Sequence, residues 1–392
     1  PLQTGTDISL ALAFVPGADR TVVLSGPISG SGQIKISAAA TGTLDLTSQT
    51  AATNTNAGGV EVGTGRVLID AGENLGFGTV NFGTATHSTL VVGGPAVSVA
   101  NPITLGSTSS TGPGTAIIDT AGNVLTVSGG NTKRPGNDPG SLEKRGAGRL
   151  TLSAPGSYGG TTRVSAGTLD VADAAALGVS ALTVAGGTLS LPQNLRFIVA
   201  APALDVETAT GGGRLDLGSG QVSIAAGGIA AADLRADIIA GRNGGAWNGL
   251  TGITSSAAAA AGGTRVVGYV VAGDGSAAVS FAAAGDVDLS GQVNVFDLVG
   301  INSAGKYGTG AASVWNQGDF NYDGVTNVFD LVGINTAAIY GQGNYFPAGT
   351  TAAGLGSVAA VPEPASLSLL ALMGGLATWV GRRLVQRNGL QP

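Results

Sequence analysis

Along most of the chain, apolar and polar residues alternate in short runs that begin at a glycine. The runs read Gly42-Thr-Leu-Asp-Leu46, Gly148-Arg-Leu-Thr-Leu152, Gly167-Thr-Leu-Asp-Val171, Gly187-Thr-Leu-Ser-Leu191 and Gly213-Arg-Leu-Asp-Leu217. A period of two puts the apolar side chains of each run on one face, the mark of a strand with one buried side. From Gly148 the runs start 19, 20 and 26 residues apart, an interval that suits one coil of a solenoid. Stacked coils would bury Leu150, Leu152, Leu169, Val171, Leu189 and Leu191 in one continuous core. The expected class is mainly β, with a β-sandwich of Gly-rich hairpins as the alternative. The glycines are expected to make the corners, because Gly reaches positive φ without steric cost.

Composition narrows this reading. The 392 residues include 68 Gly and only 15 Pro, with no Gly-X-Y period, so collagen is excluded. Charged residues are 11% against roughly 25% in an ordinary domain, but abundant alternating Val, Ile, Leu and Thr argue against disorder. Net charge is −6 with no long basic run, which speaks against nucleic-acid binding. The absence of Cys removes disulfides and thiolate sites. The chain opens on Pro1 with no leader-like stretch, so either a signal peptide has been removed or the sequence is a piece of a longer one.

Catalysis has little to stand on. Seventeen Asp and Glu are scattered singly over residues 1–284, and the single His87 reads as an outward strand position. Glycosidase chemistry would need two carboxylates facing each other across a sugar. Lys133, Arg134, Lys144, Arg145 and Arg149 flank a Pro/Gly loop and read as a solvated insertion. Trp247 reads as a core anchor.

The stretch from Lys144 to Leu169 carries Gly146-Ala-Gly-Arg-Leu-Thr-Leu-Ser153, Tyr158-Gly-Gly-Thr-Thr162 and Ala166-Gly-Thr-Leu169. It resembles the autotransporter-associated β-strand repeat of large secreted bacterial passenger domains. That resemblance implies a right-handed parallel β-helix stalk.

Further along, two segments 33 residues apart share Asn-Val-Phe-Asp-Leu-Val-Gly-Ile-Asn, and each places oxygen side chains at positions 1, 3, 5, 9 and 12 of a loop with Gly at position 6. Ca²⁺ takes six to eight oxygen ligands, and this spacing wraps them around one point, with Gly291 and Gly324 making the sharp turn. The first loop offers Asp286, Asp288, Ser290, the Gln292 carbonyl and Asp297, with Asn294 acting through water. The second offers Asp319, Asn321, Asp323, the Val325 carbonyl and Asp330, with Asn327 acting through water. Two Ca²⁺ ions are expected, the second site the stronger because Ser290 replaces an acid in the first. The pair resembles the type I dockerin module, which implies loop-helix units packed on one another through Phe296, Leu298 and Val299 against Phe329, Leu331 and Val332. It also implies a cohesin-like partner, although Val295-Phe296 and Val328-Phe329 stand where such modules commonly carry small hydroxyl residues.

The chain ends with Val361-Pro-Glu-Pro-Ala365, an apolar run over 367–381, and Arg382, Arg383 and Arg387. The order resembles a PEP-CTERM sorting signal. It implies export, transient anchoring of the C-terminal hydrophobic helix in the membrane, and processing near Pro362, Glu363 and Pro364 by an exosortase-type enzyme. The expected organisation is a β-solenoid over 1–245, a β-rich connector over 246–284, paired calcium loops over 285–345, a linker over 346–360 and the sorting tail over 361–387. The expected function is non-catalytic work at the cell surface or in the extracellular matrix, with a surface polysaccharide as a further candidate partner. The alternative is a dockerin-bearing component of a polysaccharide-degrading assembly, related to glycoside hydrolases or lyases.

Overall fold

Inward-facing apolar positions recur at one register from coil to coil, and the chain accordingly winds into a parallel β-solenoid of about 8 turns. The computed structural model describes residues 20–36, 42–49, 54–83, 88–106, 114–134, 138–209 and 211–347, and the backbone of Leu2–Thr4, Ile8–Leu10 and Gly349–Thr351. These belong to the unit Pro1–Leu355. The sorting tail and His87 lie outside the described residues.

Among the described residues, three long ladders of short parallel strands form the faces. One has nine strands and ends at Leu204–Val206, one has seven and runs from Ala96–Val99 to Gly252–Thr254, and one has six and ends at Asn131–Lys133. The seven-stranded ladder aligns Val97, Leu125, Leu150, Leu169, Leu189, Leu215 and Ile253 in one column, all buried. Burying each such side chain contributes roughly 1.5–3 kcal/mol relative to leaving it in water. The six residues expected in the core are buried.

The nine-stranded ladder has a column that breaks the apolar rule. Leu44, Val67, Leu90, Ile118, Lys144, Val164, Val184 and Val206 are in register. Lys144 therefore points inward and is fully buried, so the solvated-insertion reading fails for this residue. Its Nζ donates to the carbonyls of Arg145 (2.8 Å), Gly146 (2.8 Å) and Ala166 (3.1 Å). An ammonium has three donors and no acceptor, so three converging carbonyls satisfy it completely. Burial pulls its pKa down to about 8, opposed by the charge of Asp119.

The glycines that open the strand runs also differ from expectation. Of Gly148, Gly167, Gly187 and Gly213, Gly167 alone has positive φ, at +66°. The others are needed because a Cβ would strike the preceding coil, 1.9 Å from the Asn123 carbonyl oxygen at Gly148 and 1.9 Å from that of Val184 at Gly213. Close coil-to-coil approach, rather than the turn itself, selects glycine there.

Before the last strand of the seven-stranded ladder the topology changes. Helix α1 (Ala231–Arg242) packs on the strand Gly252–Thr254, and the short helix α2 (Ser256–Ala260) follows it. Strands Val266–Val271 and Ala277–Ala282 then form an antiparallel pair whose second member pairs antiparallel with Gln221–Ile224. Trp247, buried as expected, lies against this end. Helices α3 (Val295–Ala304) and α4 (Val328–Ala337) each follow one of the paired loops.

Replacing Lys144 by Met keeps the stem but removes the donor shared by the carbonyls of Arg145, Gly146 and Ala166 and leaves Thr120 as a remaining partner of the first. The expected loss is about 2–4 kcal/mol of stability, read as a lower denaturant midpoint in urea unfolding. An unchanged midpoint would contradict the structural role assigned to the ammonium.

Candidate metal centre

Each loop coils because its backbone N–H groups turn inward onto its own carboxylates. In the first, the Ser290 N–H donates to Asp286 Oδ1 (2.9 Å) and Asp288 Oδ1 (3.0 Å), and the Gly291 N–H donates to Asp286 Oδ2 (2.8 Å). Leu289 and Gly291 take positive φ, +60° and +86°, to make the turn. Asp297 closes the loop as the third residue of α3, accepting from the N–H groups of Val287 (3.0 Å) and Asn294 (2.8 Å). Asn294 caps α3 by accepting from the Phe296 N–H (2.8 Å), a capping box with Asp297. One oxygen from each of Asp286, Asp288 and Asp297 lies within 4.8 Å of the others. Ser290 and Gln292 are exposed beside them.

The second loop repeats the frame. The Gly324 N–H donates to Asp319 Oδ2 (3.1 Å), and Tyr322 and Gly324 have φ of +63° and +92°. Asp330 accepts from the N–H groups of Phe320 and Asn327 (2.8 Å each), and Asn327 caps α4 through the Phe329 N–H (2.8 Å). Asp323 and Asn321 are tied to each other, through the Asp323 N–H to Asn321 Oδ1 (2.8 Å) and Asn321 Nδ2 to Asp323 Oδ2 (2.9 Å). The Val325 N–H donates to Asp323 Oδ1 (3.0 Å). Asp319 is 1% exposed, and its Oδ1 is buried without a hydrogen-bond partner. A buried carboxylate oxygen with no donor is costly unless a cation meets it. The donor set of each loop, all oxygen and rich in carboxylate, suits a hard divalent cation such as Ca²⁺.

Burial raises the carboxyls that would face the ion. Asp286 is pushed up to about 8, chiefly by desolvation, against the help of the Tyr345 hydroxyl. Asp297 rises to about 6 for the same reason. Asp319 and Asp330 also rise with burial. The net shift of Asp323 is downward: desolvation, its largest single influence, is outweighed by the donors Val325, Asn321 and Asn327 together with the charge of Arg235.

Three residues that the loop spacing could not reveal hold the loops from outside. Tyr345 donates its hydroxyl to Asp286 Oδ2 (2.6 Å), Trp315 Nε1 donates to the Asp286 carbonyl (2.8 Å), and Arg235 of α1 reaches Asp319 Oδ2 (3.2 Å). Tyr322 sits among Trp247, Tyr269 and Trp315, with ring centroids 6.0–6.1 Å away, and its hydroxyl donates to the Val267 carbonyl (2.7 Å). The loops are thus built into the end of the solenoid.

The helix packing expected from the duplication is not found. Phe296 is 56% exposed and Phe329 67%, and Val299, Val332, Leu298 and Leu331 are exposed as well. Ile301 is the buried apolar residue of α3 instead, because each loop anchors its helix by the capping Asp, which turns the opposite face inward. Leu298 and Leu331 line one open groove together with Ile334 and Tyr340.

Residues 142–171 match the passenger-associated-transport-repeat. No curated protein and no solved structure matches the chain. The match runs over two successive coils, from the strand Ser141–Arg145 to the strand Thr168–Val171, and includes the buried Lys144. Tyr158 and Thr162, within the match, form a buried chain with Ser180 beyond it: Tyr158 Oη meets Thr162 Oγ1 (2.8 Å) and Thr162 Oγ1 meets Ser180 Oγ (2.7 Å). Repeat and β-helix together suggest an exported, autotransporter-like passenger. Neither the paired loops nor residues 361–387 fall within the match. No helix among the described residues is long and apolar enough to cross a membrane.

The sign of the pH dependence follows from the raised carboxyls. A folded-state pKa above the unfolded value of about 4 adds stability below that value and loses it as pH climbs through the folded pKa. In chelator, the melting temperature at this end of the molecule should therefore fall between pH 5 and 8, followed by Trp fluorescence. Asp286→Asn should flatten the slope, and a melting temperature that rises over this range would contradict it.

Proposed function

We propose that this chain is a non-catalytic, exported surface or extracellular-matrix protein: a β-helical stalk whose end is stabilised by two Ca²⁺ ions. The observation that carries the reading is the paired loop geometry, with three convergent carboxylates in the first loop and the unpartnered Asp319 Oδ1 in the second. Asp286, Asp288, Ser290, the Gln292 carbonyl and Asp297 would hold one ion, with Asn294 through water. Asp319, Asn321, Asp323, the Val325 carbonyl and Asp330 would hold the other, with Asn327 through water. The bound ion supplies positive charge to carboxylates that burial has stripped of water.

A structural rather than catalytic stalk is supported by how its outward charges are used. Asp170 pairs with Arg149, Glu143 with Arg145, Glu207 with Arg163 and Glu61 with Arg134. Such exposed pairs are worth little individually, yet several tie one coil to another and leave fewer free carboxylates for acid–base work. Export is supported by the passenger repeat. The PEP-CTERM-like order at 361–387, with an exosortase-type enzyme acting near Pro362, Glu363 and Pro364 after transient membrane anchoring, belongs to the same proposal.

The exposed Val295, Phe296 and Val299 of α3 and Val328, Phe329 and Val332 of α4 favour a second reading. A cohesin-like module would cover these faces, joining the chain to a polysaccharide-degrading assembly. Isolated apolar residues at a surface are ordinary, but two matched clusters on neighbouring helices are what a partner buries.

Calorimetric titration of the full chain with Ca²⁺ should give two binding events and a raised melting temperature. Asp286→Ala combined with Asp319→Ala should abolish both while the far-ultraviolet signal of the solenoid persists. A flat trace at millimolar Ca²⁺ would remove the metal from the account. For the second reading, Phe296→Ser with Phe329→Ser should abolish capture by a purified cohesin module without changing Ca²⁺ affinity. Equal capture by the variant would set that reading aside.

A further inference from the structure

We infer that Arg235 sets the affinity of the second loop for Ca²⁺, serving as a resident cation that holds Asp319 and makes this site the weaker of the two. The inference rests on the calcium reading and deepens it.

The two loops share their frame, so their differences are informative. In each, Oδ2 of the first aspartate accepts the N–H of the sixth residue and one donor from outside the loop. At Asp286 the donors are the Gly291 N–H (2.8 Å) and the neutral hydroxyl of Tyr345 (2.6 Å). At Asp319 they are the Gly324 N–H (3.1 Å) and the guanidinium of Arg235 (3.2 Å). The same Arg235 nitrogen also donates to the Tyr322 carbonyl (3.0 Å), the fourth position of the loop. Arg235 is anchored on α1 and stands 6.0 Å from the Tyr322 ring centroid, so it grips the loop at two points.

Charge then separates the sites. Each loop brings three carboxylates: Asp286, Asp288 and Asp297 in one, Asp319, Asp323 and Asp330 in the other. Ser290 is neutral at the fifth position of the first loop, and Asn321 is neutral at the third position of the second, so the acid counts are equal. Among the described residues, the second loop carries an ion pair, Arg235 to Asp319, and the first does not. Arg196 stands near the first loop but is bound to Ser280 (2.7 Å) and Gln221 (2.7 Å) and stacked on Phe346, with no ion pair to Asp286. A partly buried positive charge beside a cation site repels the incoming ion and is weakly screened by salt. The expectation from the acidic residue at position 5 is thereby reversed: the first loop should bind more tightly. Loss of the guanidinium leaves Asp319 Oδ2 still held by Gly324, so the ligand orientation should survive substitution.

Calorimetric titration of the full chain with CaCl₂ tests this, with Asp288→Asn and Asp323→Asn assigning the two events to their loops. Wild type should show the first loop as the tighter. Arg235→Gln, which keeps a donor and removes the charge, should tighten the second site by about tenfold and leave the first unchanged. It should also lower the melting temperature in chelator, because Asp319 loses its resident counter-charge. Arg235→Lys, which keeps the charge, should leave the second site close to wild type. Two intact binding events with an unchanged or weakened second site in Arg235→Gln would overturn the role of Arg235 alone. No binding by wild type would remove the calcium reading and this inference together.

Discussion

A stack of parallel coils is open at its end, and the structure depends on how that end is covered. Inside the stalk, each coil satisfies its neighbour by hydrogen bonds along the ladders and by columns such as Leu150, Leu169, Leu189 and Leu215. The last coil has no successor to do this. Here the antiparallel pair Val266–Val271 and Ala277–Ala282 takes over, and the aromatic group of Trp247, Tyr269, Trp315 and Tyr322 seats the paired loops on it. Seating them there buries Asp286 and Asp319 and removes water from their carboxylates, the setting in which the proposed Ca²⁺ would supply the missing charge. Covering the end and desolvating these carboxylates are thus one arrangement seen from two sides.

Much of this was legible because it is local. The period-2 runs and their spacing mark the coils, since inward and outward positions alternate within a few residues. The loop ligands are equally local: turn geometry and the capping boxes of Asn294 with Asp297 and of Asn327 with Asp330 all lie within one short span. The turn is enforced by Gly291 and Gly324 at positive φ. What escaped the sequence is long-range. Arg235 precedes Asp319 by 84 residues and Tyr345 follows Asp286 by 59, and no spacing rule links them. Lys144 was misread because a charged residue in an exposed-looking loop gives no sign that three carbonyls converge on it. The helix faces were misread because duplication was taken to imply mutual packing, whereas the capping Asp of each helix fixes the buried side.

The same layout connects structure to place of work. The stalk carries the passenger-associated-transport-repeat and pairs several of its outward charges, while α3 and α4 present apolar side chains at the capped end. A metal that is scarce inside a cell and plentiful outside it would complete the cap only where an exported protein operates, which fits calcium to the proposed surface role.

The central claim, that calcium completes the end of the solenoid, is tested most directly by amide hydrogen exchange of the full chain in Ca²⁺ and in chelator. Calcium should raise protection in residues 266–271 and 277–282 and in the loops, while the coils at 142–171 exchange at the same rate in both conditions. Identical protection at the capped end with and without Ca²⁺ would contradict the account.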